Sequence, residues 1–255
     1  MEVGGPGERA IGDEVHVWHG VLAADSPKGE PATVPAEDLA VLSREERDRS
    51  ARLIRASDGT RFVAAHAAAR RVLGSYLGAD PAAIRLGRTP CCRCGSAKHG
   101  RPTVEWPVTA LSHNLSHSGR HWLLAVALGR PVGVDIECHR SLDVARMSQA
   151  CLTESENVHL MGLPPDAQLP MFFRCWTRKE AVLKACGVGL AGSMSTVEVQ
   201  PQHGACALVR HVSGNCPDTW LTQDLPGGTD WSAAVAQPSE LAGPVLLRAF
   251  PQALT

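Results

Sequence analysis

The residues with the clearest chemical potential lie in two stretches, 130–137 (Arg-Pro-Val-Gly-Val-Asp-Ile-Glu) and 176–185 (Trp-Thr-Arg-Lys-Glu-Ala-Val-Leu-Lys-Ala). The first reads as a short strand carrying Asp135 and Glu137, and alternate strand residues share a face. The second reads as a helix on which Glu180 and Lys184, four residues apart, lie on one side. Brought together, three carboxylates with Lys179 and Lys184 would make a site for a hard divalent cation and a phosphate chain. Each pattern also has a plainer reading: a strand showing two acids to water, and a helical ion pair worth about 0.3–0.5 kcal/mol. What favours the site is that Arg178, Lys179 and Glu180 sit between Phe172-Phe173 and Val182-Leu183 in an otherwise apolar helix. Charge in such a setting needs partners, because an unpaired buried charge is costly; magnesium and a polyphosphate would supply them. A third cluster, 112–119 (Ser-His-Asn-Leu-Ser-His-Ser-Gly), offers hydroxyls and imidazoles to phosphate oxygens, and taken alone is equally a capped turn.

The elements that must position these groups emerge from an internal repeat. A shift of about 110 residues sets Leu42-Ser43-Arg44-Glu45-Glu46 on Leu152-Thr153-Glu154-Ser155-Glu156, Phe62-Val63 on Phe172-Phe173, and Val72-Leu73 on Val182-Leu183. After a one-residue slip, Trp122 and Ala125-Val126-Ala127 fall on Trp231 and Ala234-Val235-Ala236. Each half then predicts a strand (14–21; 132–137) and a helix opened by a capping box, Ser43 with Glu46 and Thr153 with Glu156. A longer helix follows (60–77; 171–186), then closing strands (121–127; 197–199; 231–236). The expectation is an α+β fold of two similar α/β halves about a pseudo-twofold axis, with a ligand in the cleft between them. The expected boundaries are a flexible N-terminus at 1–13, an N-terminal half at 14–129, a C-terminal half carrying the metal site at 130–237, and a tail at 238–255. Stretches 201–214 and 225–229 read as loops. On this alignment Arg70 and Gly74 occupy the places of Glu180 and Lys184, so one active site per chain is expected.

Bulk properties narrow the function. The 255 residues carry a formal charge of −1, with no basic excess to meet nucleic acid. No run is long enough to span a membrane and no secretory signal is visible. Nine cysteines without an export signal predict reduced thiols in a cytoplasmic protein.

With these residues in place, the chain resembles the 4′-phosphopantetheinyl transferases, specifically the broad-specificity, surfactin-synthetase-activating type. The resemblance rests on Leu-Ser-His-Ser-Gly (115–119), Gly-Val-Asp-Ile-Glu (133–137), Trp-Thr-Arg-Lys-Glu-Ala-x-x-Lys-Ala (176–185), the His-Gly-Arg-Pro turn (99–102) and the helix beginning near Thr60-Arg61-Phe62. It covers roughly 14–237. It implies Mg²⁺-dependent transfer of the phosphopantetheine arm of coenzyme A to a serine of an apo acyl or peptidyl carrier protein, with release of 3′,5′-ADP. Polyketide, nonribosomal peptide or fatty-acid synthases would thereby be activated, and the subclass is monomeric. By the same resemblance Asp135, Glu137 and Glu180 would ligate Mg²⁺, and Lys179 and Lys184 would meet the phosphates. Ser116 and His117 would contact the coenzyme's phosphates, while Arg61 and Arg101 would hold its 3′-phosphoadenosine end, Arg52 being a substitute for one of them. Glu180 is the expected proton acceptor and Lys184 the group that stabilises or protonates the leaving phosphate. The carrier would dock beside the metal site, over 142–163. A ligand-binding protein without turnover is the competing reading, and the intact Asp135, Glu137, Glu180 and Lys184 set argues against it.

One motif falls outside this scheme. Pro-Cys-Cys-Arg-Cys-Gly (90–95), followed by His99, gives Cys91 and Cys94 the spacing of zinc ligands, with His99 as a third. Adjacent ligands make Cys92 an awkward fourth, and a metal-free insertion loop explains the same residues.

Overall fold

The computed structural model describes residues 11–22, 32–96, 99–188, 193–211 and 216–251. Its elements are β1 (Val15–Val21), α1 (Ala36–Val41), α2 (Arg44–Ala51), α3 (Ala56–Leu77), β2 (Arg85–Arg88), β3 (Pro102–Trp106), β4 (Leu111–Ser118), β5 (His121–Leu128), β6 (Gly133–Cys138), α4 (Val144–Cys151), α5 (Glu154–Met161), α6 (Pro165–Cys186), β7 (Cys206–Arg210), β8 (Thr219–Asp224), β9 (Trp231–Pro238) and β10 (Val245–Ala249). Two four-stranded sheets, in the orders β10-β1-β5-β4 and β6-β9-β8-β7, are accompanied by a separate β2–β3 hairpin, and the chain passes from the first sheet to the second between β5 and β6.

The almost unbroken apolar run of β5 follows from burial on both faces. Trp122, Leu124 and Val126 pack with Ala65, Ala69, Val72 and Tyr76 of α3. The alternate residues Leu123, Ala125 and Ala127 meet Val134 and Ile136 of β6 and Ala233 and Val235 of β9. In turn Ala234 and Ala236 of β9 face Phe172, Phe173, Val182 and Leu183 of α6. The layers therefore run helix, sheet, sheet, helix, and the two sheets share a core. Gly133 is needed where β6 crosses α6: a Cβ there would lie 2.0 Å from the Ala181 carbonyl oxygen and 2.6 Å from the Ala185 nitrogen.

The two halves repeat one piece of local engineering. Ser43 and Thr153 each cap a short helix in a full capping box with Glu46 and Glu156. Each glutamate also receives a buried cation from the long helix that follows: Arg70 Nε donates to Glu46 Oε2 at 2.7 Å, and Lys179 Nζ lies 2.6 Å from Glu156 Oε2. Each cation then ties down two carbonyls beyond its helix, Pro81 and Ile84 for Arg70, Met194 and Val197 for Lys179. Both long helices end on a left-handed glycine, Gly78 and Gly187. These caps fix the register of α3 on α6 one residue away from the sequence alignment, so Arg71 and Ser75, not Arg70 and Gly74, stand at the places of Glu180 and Lys184.

Several boundaries are corrected. The expected strand at 197–199 is extended but unpaired, because Arg178 and Lys179 capture its carbonyls. The expected loop at 201–214 contains β7, an edge strand alternating buried and exposed residues. The expected C-terminal tail contributes β10, which pairs in parallel with β1 from Val15↔Val245 to His19↔Ala249. Of the expected flexible N-terminus, residues 1–10 lie outside the described residues, whereas Ile11 is 2% exposed in the core and the Arg130 guanidinium donates to the Asp13 carbonyl.

Candidate active site

β4 and β6 stand at facing edges of the two sheets, and side chains rather than a strand ladder close the seam. Asn114 Oδ1 accepts from the Val134 amide (3.2 Å), Ser116 Oγ from Ile136 (3.4 Å) and Ser118 Oγ from Cys138 (3.1 Å). The period of two puts all three side chains on one face of β4. The serines also donate onward, Ser116 to Asp135 Oδ1 at 2.8 Å and Ser118 to Glu137 Oε2 at 3.0 Å. The 112–119 cluster is thus a strand whose hydroxyls fix both carboxylates of β6.

Lys184 completes the knot. Its ammonium lies 2.6 Å from Asp135 Oδ1 and donates to Ser116 Oγ at 3.0 Å. Asp135 is buried, and its other oxygen, Oδ2, has no hydrogen-bond partner. Burial pushes the Asp135 carboxyl above its ordinary range, against the pull of Lys184. Half-buried Glu180, four residues before Lys184 on α6, is likewise raised, first by burial and then by the negative charges of Asp135 and Glu137, with Lys184 opposing. Burial raises both acids, and the negative charge of Asp135 adds to the effect at Glu180, a setting that a bound cation would relieve. Glu137 is turned toward Arg140, at 2.8 Å.

Lys184 also lines a cavity of about 520 Å³, with Arg49, Phe62, His66, Leu73, Leu86, Arg88, Pro102, His113, Leu115 and His117. Apolar walls with a few convergent cations suit a ligand that is part ring, part anion. Phe62 and His66 stack with centroids 3.9 Å apart, and Arg49 lies over the Phe62 ring at 5.3 Å. His117 is open to solvent along one side but enclosed by the cavity walls. Desolvation, with the charges of His66, Lys184 and Arg49, holds its imidazole down at about 4. His113 is fully enclosed and held at about 4 by burial and by Arg88. Burial and the neighbouring Arg49 charge lower Arg88 too.

The expected site residues separate into those that converge and those that do not. Asp135, Lys184 and Ser116 converge, Glu180 lies close enough to feel the charges of Asp135, Lys184 and Glu137, Glu137 bonds to Ser118, and His117 enters the cavity. Lys179 does not reach the cavity: it is 0% exposed and spent on Glu156 and two carbonyls, so it cannot meet a phosphate. Ser116 is 7% exposed, and its one proton and two lone pairs are committed to Asp135, Lys184 and Ile136, so it positions the acid rather than touching a ligand. Arg178 forms a two-point pair with Asp224, at 2.6 and 2.8 Å. Arg61 lies 3.6 Å from Asp58 and lines a different cavity with Asp38, Arg71 and Trp122. Arg101 lines a small cavity that shares Pro102 and His113 with the large one. The sequence reading missed Arg49, His66 and Arg88, and took in His113 only as part of the 112–119 cluster. The spacing of Phe62, His66 and Ala69 along one helical face was a usable signal; Arg49 and Arg88, on a polar helix and a short hairpin strand, carried none.

A family model described as the 4′-phosphopantetheinyl transferase superfamily matches residues 131–236. The 4′-phosphopantetheinyl transferase HetI of Nostoc sp. is 32% identical over 190 residues, covering 73% of this chain and 74% of the relative. The chain belongs to the 4′-phosphopantetheinyl transferase superfamily. It is a transferase of that kind, a family that uses coenzyme A and carrier proteins. The Bacillus subtilis transferase Sfp is 22% identical over 201 residues, 78% of this chain and 84% of that one, and the Escherichia coli O157:H7 transferase AcpT is 40% identical over 91 residues, 35% and 46% of the respective chains. The superfamily match runs from just before β6 into β9 and so includes Asp135, Glu137, Glu180 and Lys184, whereas the cavity walls on α2, α3 and the β2–β3 hairpin precede it. Among the described residues, no helix is long and apolar enough to cross a membrane.

Proposed function

We propose that this transferase moves the 4′-phosphopantetheine arm of coenzyme A to a serine of an apo acyl or peptidyl carrier protein, releasing 3′,5′-ADP, in a reaction that needs Mg²⁺. One observation carries the reading: Lys184 lies on the wall of the large cavity and grips buried Asp135, whose second oxygen is left without a partner beside Glu180. An all-oxygen donor set with an orphaned oxygen on Asp135, and a Glu180 raised by burial and by the Asp135 charge, fits a hard divalent cation. Asp135, Glu137 and Glu180 are the residues that would hold it. When bound, magnesium would supply charge neutralisation for the pyrophosphate.

The chain's own groups account for the rest. The cavity takes the nucleotide end of the coenzyme: Phe62 and Leu86 offer apolar wall, Arg49, Arg88 and His117 offer donors to phosphate, and Arg101 adjoins. The carrier serine forms a new oxygen–phosphorus bond at the β-phosphorus while the bond to the 3′,5′-ADP oxygen breaks. The serine proton passes to Glu180, whose raised affinity for protons suits a general base. Lys184 stabilises the departing phosphate. We read 14–129 and 130–237 as two copies of one unit about a pseudo-twofold axis, with β10 from the tail added to the first; the twin Glu46–Arg70 and Glu156–Lys179 arrangements support this. Carriers of polyketide, nonribosomal peptide or fatty-acid synthases fit the reaction. Nine free thiols suit the cytoplasm, and two packed sheets in one chain suit a monomer.

Incubation with coenzyme A, Mg²⁺ and an apo carrier should add the phosphopantetheine mass to the intact carrier and release 3′,5′-ADP. Coenzyme A binding without any carrier modification across several carriers would replace this reading by that of a non-catalytic binding protein.

A further inference from the structure

We propose that Cys91, Cys94 and His99 form a zinc site, with Cys216 as fourth ligand, that clips the β2–β3 hairpin onto the end of α6. The described residues gather metal-ligand atoms within 4.8 Å of one another at these first three residues. The loop is already folded as a ligand-holding turn. The Gly95 amide donates to the Cys91 carbonyl at 2.8 Å, the Cys91 amide donates to the Ser96 carbonyl at 3.0 Å, and Gly95 takes a φ of +70°. The amides of Arg93 and Cys94 and the Cys94 thiol are directed at the Cys91 sulfur. Such amide-to-sulfur bonds are what a metal-bound thiolate needs from its surroundings. Cys94 Sγ lies 3.5 Å from His99 Nε2, and His99 Nδ1 is buried without a partner.

Two thiols and an imidazole select a borderline-soft cation such as zinc over magnesium. A closed structural site needs a fourth donor. Both Cys92 and Cys216 turn their thiols to the Cys186 carbonyl, at 3.2 and 3.1 Å; Cys92 is adjacent to Cys91, which leaves Cys216, a thiol outside the 4.8 Å group that would turn from the carbonyl to bind.

The placement gives the ion a purpose. Cys91 is buried in the core of the second half. His99 leads into Gly100 and Arg101, which the hairpin holds through the Thr89 amide to the Arg101 carbonyl at 2.9 Å and Arg88 Nη1 to the Gly100 carbonyl at 3.0 Å. Gly187, at the end of α6, packs so closely that a Cβ would lie 2.7 Å from the Arg101 nitrogen. A bound ion would therefore fix Arg88 and Pro102 of the cavity wall relative to Lys184, one turn from that helix end.

Metal analysis of the full-length protein, purified without a metal-affinity tag, should find one zinc per chain. Cobalt exchanged into the wild-type protein should give thiolate charge-transfer absorption and the intense visible bands of a tetrahedral centre. Cys94→Ser and His99→Ala should lose the zinc while Cys206→Ser, at an exposed cysteine away from the cluster, keeps it. Cys216→Ser should lose it too; full retention would overturn the fourth ligand. Wild-type protein that copurifies with no zinc and gives no cobalt spectrum would overturn the site, whatever its transferase activity. On the transferase reading, zinc removal should raise the KM for coenzyme A about tenfold, by analogy with loss of a metal's supporting contacts, while leaving kcat within about twofold.

Discussion

At the scale of single residues, the site works by committing some charges and withholding others. Lys179 and Lys184 stand five positions apart on α6 and have opposite fates, because Lys179 faces the capping box of α5 and Lys184 faces the seam between the sheets. Glu180 lies one helical turn before the cavity-lining Lys184, and burial together with the negative charges of Asp135 and Glu137 raises its proton affinity. Glu180→Gln should therefore lower kcat by about 100-fold or more, the usual worth of a positioned general base, with an unchanged circular dichroism spectrum; turnover near wild type in the purified variant would refute its role. His117 offers a second test. Held at about 4, its ring is neutral in the free protein at pH 7, well below the ordinary value of 6.5. Phosphate brought against it favours the charged form. Binding of 3′,5′-ADP should thus take up a proton between pH 4 and the raised value, and tighten as pH falls across that window. Calorimetry in buffers of different ionisation enthalpy reads this directly, and His117→Ala should abolish the uptake.

At the scale of elements, both capping boxes were legible because their chemistry is local, a hydroxyl and a carboxylate three residues apart. Their second use was not. A glutamate that caps one helix and receives a cation from the next depends on which face of α3 or α6 turns inward, and that is settled by tertiary packing. β7 and β10 are short, half-exposed edge strands flanked by Gly and Pro, so both read as loop, and the partner of β10 is β1 at the other end of the chain. Two predictions belong here. Lys179→Ala leaves Glu156, itself 1% exposed, as a buried unpaired acid and should destabilise the fold by about 3–5 kcal/mol. The protein that remains folded should keep its kcat, which separates a structural lysine from a phosphate ligand. Glu46 should report the same architecture through pH. Burial alone would raise its carboxyl, but His66, the Ser43 amide and Arg70 together bring it down to about 2. A depressed acid stabilises the folded state above its unfolded value of 4.5 and loses that contribution as pH falls toward 2. Thermal melts should steepen in that window for wild type and flatten in Glu46→Gln.

At the scale of the molecule, the proposed duplication raises the question of how many coenzymes one chain can hold. The seam chemistry is unequal. β6 carries Asp135 and Glu137, and α6 carries Glu180 and Lys184, whereas the registers of the helix caps put Arg71 and Ser75 at the corresponding places on α3. Arg71 is already paired with Asp38 at 2.5 Å, and among the described residues Asp38 is the one acid lining the cavity on that side, beside Val21, Ala64, Arg71 and Trp122. The large cavity, by contrast, takes its walls from α2, α3, β2, β4 and a single lysine of α6, so neither half can form it alone. Because the sheets share the core of Val17, Leu123, Val134 and Val235, separating the halves would dismantle both core and site. Titration with 3′,5′-ADP should therefore saturate at one ligand per chain, and chemical unfolding should lose secondary structure and ligand binding in one coincident transition. A second equivalent bound with similar affinity, or a half that unfolds separately while the other still binds, would show that the halves work independently.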